Sequence, residues 1–137
     1  MKSKKILVVD DSLVILKTLS QKLRGQGYEV MTAEDGSTAV SLARHEQPDL
    51  ILTDVNFPPD AGNGGGVSWD GFLLMDSLHR MAEARHIPVA IMTSDDPGIS
   101  RKRALSAGAV AFFEKPLDHQ KLLATISQLF QKQPASC

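Results

Sequence analysis

The chain has 137 residues, of which 42% are hydrophobic and 23% charged, enough for one soluble domain with its own core. A net charge of -1 excludes global electrostatic steering toward nucleic acid or an anionic membrane. A lone cysteine, Cys137, excludes an internal disulfide, and no apolar run is long enough for a signal-peptide core or a membrane span, so the expected address is the cytoplasm.

The first apolar run, Ile6-Leu7-Val8-Val9, reads as a strand and ends on Asp10-Asp11. A helix follows from Ser12, with Leu16, Leu19 and Leu23 on one face and Gly25 and Gly27 as its stop. Residues 28–32 alternate enough for a second strand. Asp35-Gly36 reads as a turn, and residues 37–45 as a helix with Ala39, Val40 and Ala43 inward. After Pro48-Asp49 comes Leu50-Ile51-Leu52-Thr53-Asp54, an unbroken apolar run meeting a carboxylate. Such a run suits a strand buried on both faces of a sheet. Residues 58–69 hold adjacent prolines and Gly64-Gly65-Gly66, a long loop against the usual roughly 2–6 residues for a strand-to-helix connection.

A helix is expected from about Gly71 to Arg85, carrying Leu74, Leu78 and Met81. Val89-Ala90-Ile91-Met92 is a fourth strand ending on Thr93-Ser94. Asp96-Pro97 looks like an N-cap and first helical residue, and the weakly apolar helix after it carries Arg101-Lys102-Arg103, expected to be a solvated face, before Gly108 stops it. Val110-Ala111-Phe112-Phe113 is a fifth strand leading to Lys115-Pro116. Residues 117–131 form a last helix, and residues 133–137 a frayed tail. Five strand-helix alternations without a linker predict an α/β domain, a parallel sheet sandwiched by helices, over residues 1–137 with its core at about 4–132.

Four strands thus deliver carboxylates, a hydroxyl and an ammonium to the sheet edge where open α/β sheets bind ligands. Three carboxylates in one place repel unless neutralised, and oxygen ligands of this kind suit Mg²⁺ or another divalent cation. A carboxylate beside such an ion can attack a phosphoryl group and form an aspartyl phosphate. Lys115 offers a point charge for one phosphoryl oxygen and Thr93 a hydroxyl for another. Asp54, on the central strand, is the expected acceptor.

The ordered set Asp10-Asp11, Asp54, Thr93-Ser94 and Lys115-Pro116, each after its strand, resembles the receiver domain of two-component response regulators over roughly residues 4–132. The resemblance implies a flavodoxin-like (βα)5 three-layer sandwich with a five-stranded parallel sheet of order 2-1-3-4-5, an order the chemotaxis receiver exemplifies. It implies Asp54 as phosphoacceptor, Asp11 as a direct Mg²⁺ ligand, Asp10 acting mostly through water, and the Asn56 carbonyl as a further ligand. Thr93 and Phe112 become the switch pair and Lys115 the phosphate-binding ammonium. A cis Lys115-Pro116 bond is also implied, although the residues alone favour trans, since only about 5–6% of such bonds are cis. The implied partners are a histidine kinase or histidine phosphotransfer protein upstream and an unidentified protein downstream on the face of helix four, strand five and helix five, with the chain a monomer or weak dimer.

Two departures stand out. Eleven residues separate Pro58 from Asp70-Gly71, where the family has about two, so residues 59–69 read as an insertion with Trp69 as its anchor. No output domain follows the last helix. Met1 and the short tail favour a stand-alone protein, with a piece of a larger hybrid left open.

Blander readings exist for each residue alone. Lys115 near three Asp is also what a structural ion pair looks like, Asp-Asp after a strand can be a helix cap, and Phe112 is by default core. The triple glycine lacks the Gly-Lys-Ser/Thr ending of a phosphate-binding loop, and the four histidines show no metal-binding spacing. A phosphohydrolase of the haloacid-dehalogenase type needs Asp-x-Asp after its first strand, whereas Ser12 stands two after Asp10. A receiver-like binding module that needs no phosphate is the remaining alternative.

Overall fold

In the computed structural model, residues 3–55, 71–93 and 97–132 are described, with the side chains of 97–100 and 132 left aside. Five parallel strands alternate with five helices: β1 (Lys5–Val9), α1 (Leu13–Arg24), β2 (Glu29–Ala33), α2 (Gly36–Glu46), β3 (Leu50–Asp54), α3 (Gly71–His79), β4 (Val89–Thr93), α4 (Pro97–Ser106), β5 (Ala111–Glu114) and α5 (His119–Lys132). The sheet runs β2-β1-β3-β4-β5. The expected flavodoxin-like order is therefore the order observed.

The residues explain the layering. β1, β3 and β4 are central, and their apolar runs leave both faces to be covered. Alternate residues divide between two cores. Leu7, Val9, Ile51, Val89 and Ile91 pack with Ala39, Ala43, Leu74, Leu78 and Ala104 of α2, α3 and α4. Ile6, Val8, Leu50, Leu52, Ala90 and Met92 pack with Leu16, Leu19, Leu23, Leu122 and Ile126 of α1 and α5. The period of two along a strand thus assigns each helix pair or trio its own face.

Register aligns the functional edge. Val9 pairs with Thr53, Asp54 with Met92, and Thr93 with Glu114. The C-terminal ends of four strands therefore finish in one row.

Several boundaries differ from expectation. The third helix ends at His79 rather than running to Arg85. Beyond it, Met81, Ala84 and Ile87 donate N–H bonds three residues back, to Leu78, Met81 and Ala84, at 3.0–3.1 Å. This tighter winding turns Ala84 and Ile87 into the core. The turn is held from α2: the Gln47 side-chain amide donates to the Glu83 carbonyl at 2.8 Å and Arg44 pairs with Glu83 at 3.0 Å. The last helix begins at His119, with the Asp118 carboxylate accepting from Lys121 N–H at 3.1 Å. Asp35 is likewise a cap rather than a free turn, accepting from Thr38 N–H at 2.7 Å. The second strand starts one residue later than expected, at Glu29.

Candidate functional site

The site begins with how β1 and β3 end. Asp10 follows the last β1 residue and is fully buried. One of its oxygens accepts from Ser12 N–H at 2.9 Å. Ser12 in turn caps α1, accepting from Ile15 N–H at 3.3 Å. Asp11, between them, is exposed. Asp54 ends β3 and is also buried, with Val55 N–H donating to its Oδ1 at 2.9 Å.

Lys115 arrives from the loop after β5, where its own N–H donates to the Thr93 carbonyl at 2.8 Å. Its ammonium donates to Asp10 Oδ2 at 2.8 Å and lies 3.2 Å from Asp54 Oδ1. The bond from Lys115 to Pro116 is cis, against the preference of its residues alone. Thr93 is buried at the end of β4. Asp10, Asp11, Asp54, Thr93 and Lys115 thus converge as the sequence suggests. Phe112 lies half-buried on β5. Asn56, Ser94, Asp96 and the expected 59–69 insertion with Trp69 lie outside the described residues.

Electrostatics follow from burial. Loss of water pushes the Asp54 carboxyl up to about 6, helped by the nearby Asp10 charge and opposed by Lys115 and the Val55 N–H. Burial pulls the Lys115 ammonium down, but its bond to Asp10 and the charges of Asp54 and Asp10 outweigh that, and its pKa is raised. One oxygen from each of Asp10, Asp11 and Asp54 lies within 4.8 Å of the others. An all-oxygen, all-anionic donor set at this spacing fits a hard divalent cation. Among the described residues no other cluster of metal-ligating side chains occurs.

Gly71 was read from the sequence as the start of a helix, but its place against Asp54 was not. It opens α3, and its N–H donates to the Val55 carbonyl at 2.6 Å. A Cβ there would sit 2.5 Å from the Asp54 carbonyl oxygen. Only glycine lets α3 start this close behind Asp54. The available signal was the Gly itself at a helix start. Arg101 and Arg103 were expected on a solvated face, and their ring contacts were missed. Both are exposed, yet their guanidinium carbons lie 5.8 Å from the Phe112 ring centroid and 4.1 Å from that of Phe72.

Comparison with known proteins agrees with this geometry. The family model for the response regulator receiver domain matches residues 6–127. The response regulator PleD of Caulobacter vibrioides is 39% identical over 127 residues, covering 93% of this chain and 26% of that protein. The chain therefore spans about a quarter of that relative's length. Protein PilH of Pseudomonas aeruginosa is 35% identical over 123 residues, 90% of this chain and 94% of PilH. The solved structure of the chemotaxis response regulator CheY4 of Vibrio cholerae superposes with a TM-score of 0.79 at 29% identity, covering 93% of this chain and 99% of CheY4.

Proposed function

Since the chain belongs to the family of response regulator receiver domains, signalling modules of two-component systems, we propose that it takes a phosphoryl group onto Asp54 from a phosphohistidine donor and thereby switches a protein-binding surface. The observation that carries this reading is the triangle of Asp10, Asp54 and Lys115, with Lys115 at 2.8 Å and 3.2 Å from the two carboxylates. A purely structural pair would need one carboxylate. Here a second buried carboxylate stands at the end of the central strand, and a third is exposed beside it.

In the proposed transfer an Asp54 oxygen attacks phosphorus in line with the phosphohistidine nitrogen. A P–O bond forms, the P–N bond breaks, and the electron pair leaves with the imidazole, which takes a proton. With its pKa raised only to about 6, Asp54 is mostly ionised at neutral pH and available as the nucleophile. Lys115 would meet one equatorial phosphoryl oxygen and the Thr93 hydroxyl another. Asp10, Asp11 and Asp54 would hold Mg²⁺, with Asn56 as a further ligand. When bound, the ion supplies positive charge against the carboxylates and the incoming phosphoryl oxygens. Water reverses the modification by attacking phosphorus and releasing inorganic phosphate from the Asp54 carboxylate. The chain acts on itself and turns over no external substrate.

The donor class is a histidine kinase or a histidine phosphotransfer protein, which sets the working location in the cytoplasm. The downstream partner would bind the face made by α4, β5 and α5, with the chain a monomer or weak dimer. No described helix is long and apolar enough to cross a membrane. Incubation with acetyl phosphate tests the reading. Incorporation of one phosphoryl group per chain with Mg²⁺, and none with excess chelator, is expected. No incorporation under either condition would favour a receiver-like binding module that works without phosphate.

A further inference from the structure

Among the residues of α4 whose side chains are described, there is little apolar packing to hold the helix. Among its residues 101–106, only Ala104 is buried, and Leu105 is 57% exposed. An element with so few buried contacts belongs to the low-stability end of a fold. Its two arginines supply what apolar packing does not. Arg103 stacks over Phe72 at 4.1 Å and Arg101 over Phe112 at 5.8 Å, both inside the roughly 6 Å within which a ring face attracts a cation.

The two rings are held differently. Phe72 is buried, on α3, and directly follows Gly71, whose N–H is bonded to Val55 beside Asp54. Phe112 is half-buried on the edge strand β5 and lines a groove of about 540 Å³ between α4, β5 and α5. One contact is therefore short and made to a ring fixed in the core, and the other is longer and rests on a ring with room beside it.

We propose that Arg103 and Arg101 seat α4 at two unequal points, a fixed pivot on Phe72 and a releasable latch on Phe112, so that Arg101 is a positioning residue for the resting arrangement. The inference rests on the receiver reading, in which Phe112 changes its packing with phosphorylation. When Phe112 leaves the groove wall, the Arg101 contact is lost, the Arg103 contact persists, and α4 reorients about it. An exposed contact of this kind shifts a two-state equilibrium by roughly two- to fivefold. The latch therefore biases the switch toward rest without locking it.

The test is titration of the full chain with beryllofluoride in saturating Mg²⁺, followed by amide chemical shifts. Arg101→Ala is expected to lower the apparent Kd by roughly two- to fivefold, because the resting state loses a contact. Loss of positive charge alone acts in the opposite sense, weakening the binding of an anion. In a Phe112→Leu background the same substitution is expected to give no gain in affinity, since the latch has no ring to meet and only the loss of charge remains. Arg103→Ala is expected to give no gain in affinity, while thermal melts verify that it folds. An unchanged or raised Kd in Arg101→Ala overturns the latch, as does an equal gain with and without the Phe112 ring. If the parent itself does not respond to beryllofluoride, the receiver reading fails and the latch with it. A responding parent with indistinguishable variants condemns the latch alone.

Discussion

The Lys115 ammonium donates to Asp10 at 2.8 Å across 105 positions of sequence, and this pair closes the functional edge of the sheet. It joins the end of β1 to the loop after β5, although β3 and β4 stand between them. Three carboxylates against one ammonium leave two uncompensated negative charges at the site, the charge that one divalent cation would cancel.

Replacing Lys115 by Ala leaves Asp10 buried with no cationic partner. Removing one member of a buried pair costs about 3–5 kcal/mol, and the fully buried Asp10 places this pair near that range. Urea unfolding in chelator should show the loss, and millimolar Mg²⁺ should restore part of it. Equal midpoints for variant and parent without metal would show that the pair contributes little.

The Asp54 shift has a definite sign. Its folded pKa of about 6 lies above the ordinary 3.8, so the fold favours the protonated form. That stabilisation is complete below about pH 4 and is lost as pH rises through about 6, leaving an ionised carboxylate that its surroundings together disfavour by roughly 3 kcal/mol in the metal-free protein. Asp54→Asn should therefore raise metal-free stability at pH 7.5 by about 2–3 kcal/mol and by little at pH 4. Denaturant midpoints across that range measure it. A gain that does not depend on pH would contradict the assignment.

Asp11 is the exposed member of the triad, so its removal should leave the fold intact. Asp11→Ala is expected to weaken Mg²⁺ binding by roughly tenfold or more, since one of three anionic donors is gone. Calorimetric titration of Mg²⁺ into parent and variant gives the ratio directly. Equal affinities would remove Asp11 from the ligand set.

Gly71→Ala should be costly for a steric reason. The added methyl would meet the Asp54 carbonyl at 2.5 Å, so α3 or the end of β3 must shift. Overpacking of this kind costs typically about 1–3 kcal/mol. Because the displaced backbone is that of Asp54, the rate of labelling by acetyl phosphate should fall further than the stability loss explains. A variant that melts and labels like the parent would mean the junction gives way easily.

The sheet and the edge that carries the candidate site were legible because unbroken apolar runs end on polar residues. Ile6 to Val9 ending on Asp10, and Leu50 to Leu52 ending at Asp54, are short-range patterns that follow from burial on both faces of a parallel sheet. The end of α3 was not legible. Leu74, Leu78 and Met81 continue a helical spacing, whereas the turn that replaces the helix is tied to α2 through Glu83, by Gln47 and Arg44. The resting partner of Lys115 was legible only as an alternative, an ion pair with one of three Asp. The residues suggest a phosphate ligand or an ion pair, and the fold alone shows that the ammonium bonds Asp10 and stands beside Asp54. Arg101 and Arg103 look like a solvated stripe until the rings of Phe112 and Phe72 come near in space.

The proposed site of phosphoryl transfer is Asp54, and not Asp10 or Asp11. The most direct measurement is borohydride trapping after treatment with acetyl phosphate and Mg²⁺, which reduces an aspartyl phosphate to homoserine, followed by peptide mapping. Homoserine at position 54 alone, absent when Mg²⁺ is chelated, is the predicted result. Homoserine at position 10 or 11, or equal phosphoryl incorporation in Asp54→Asn, would contradict it.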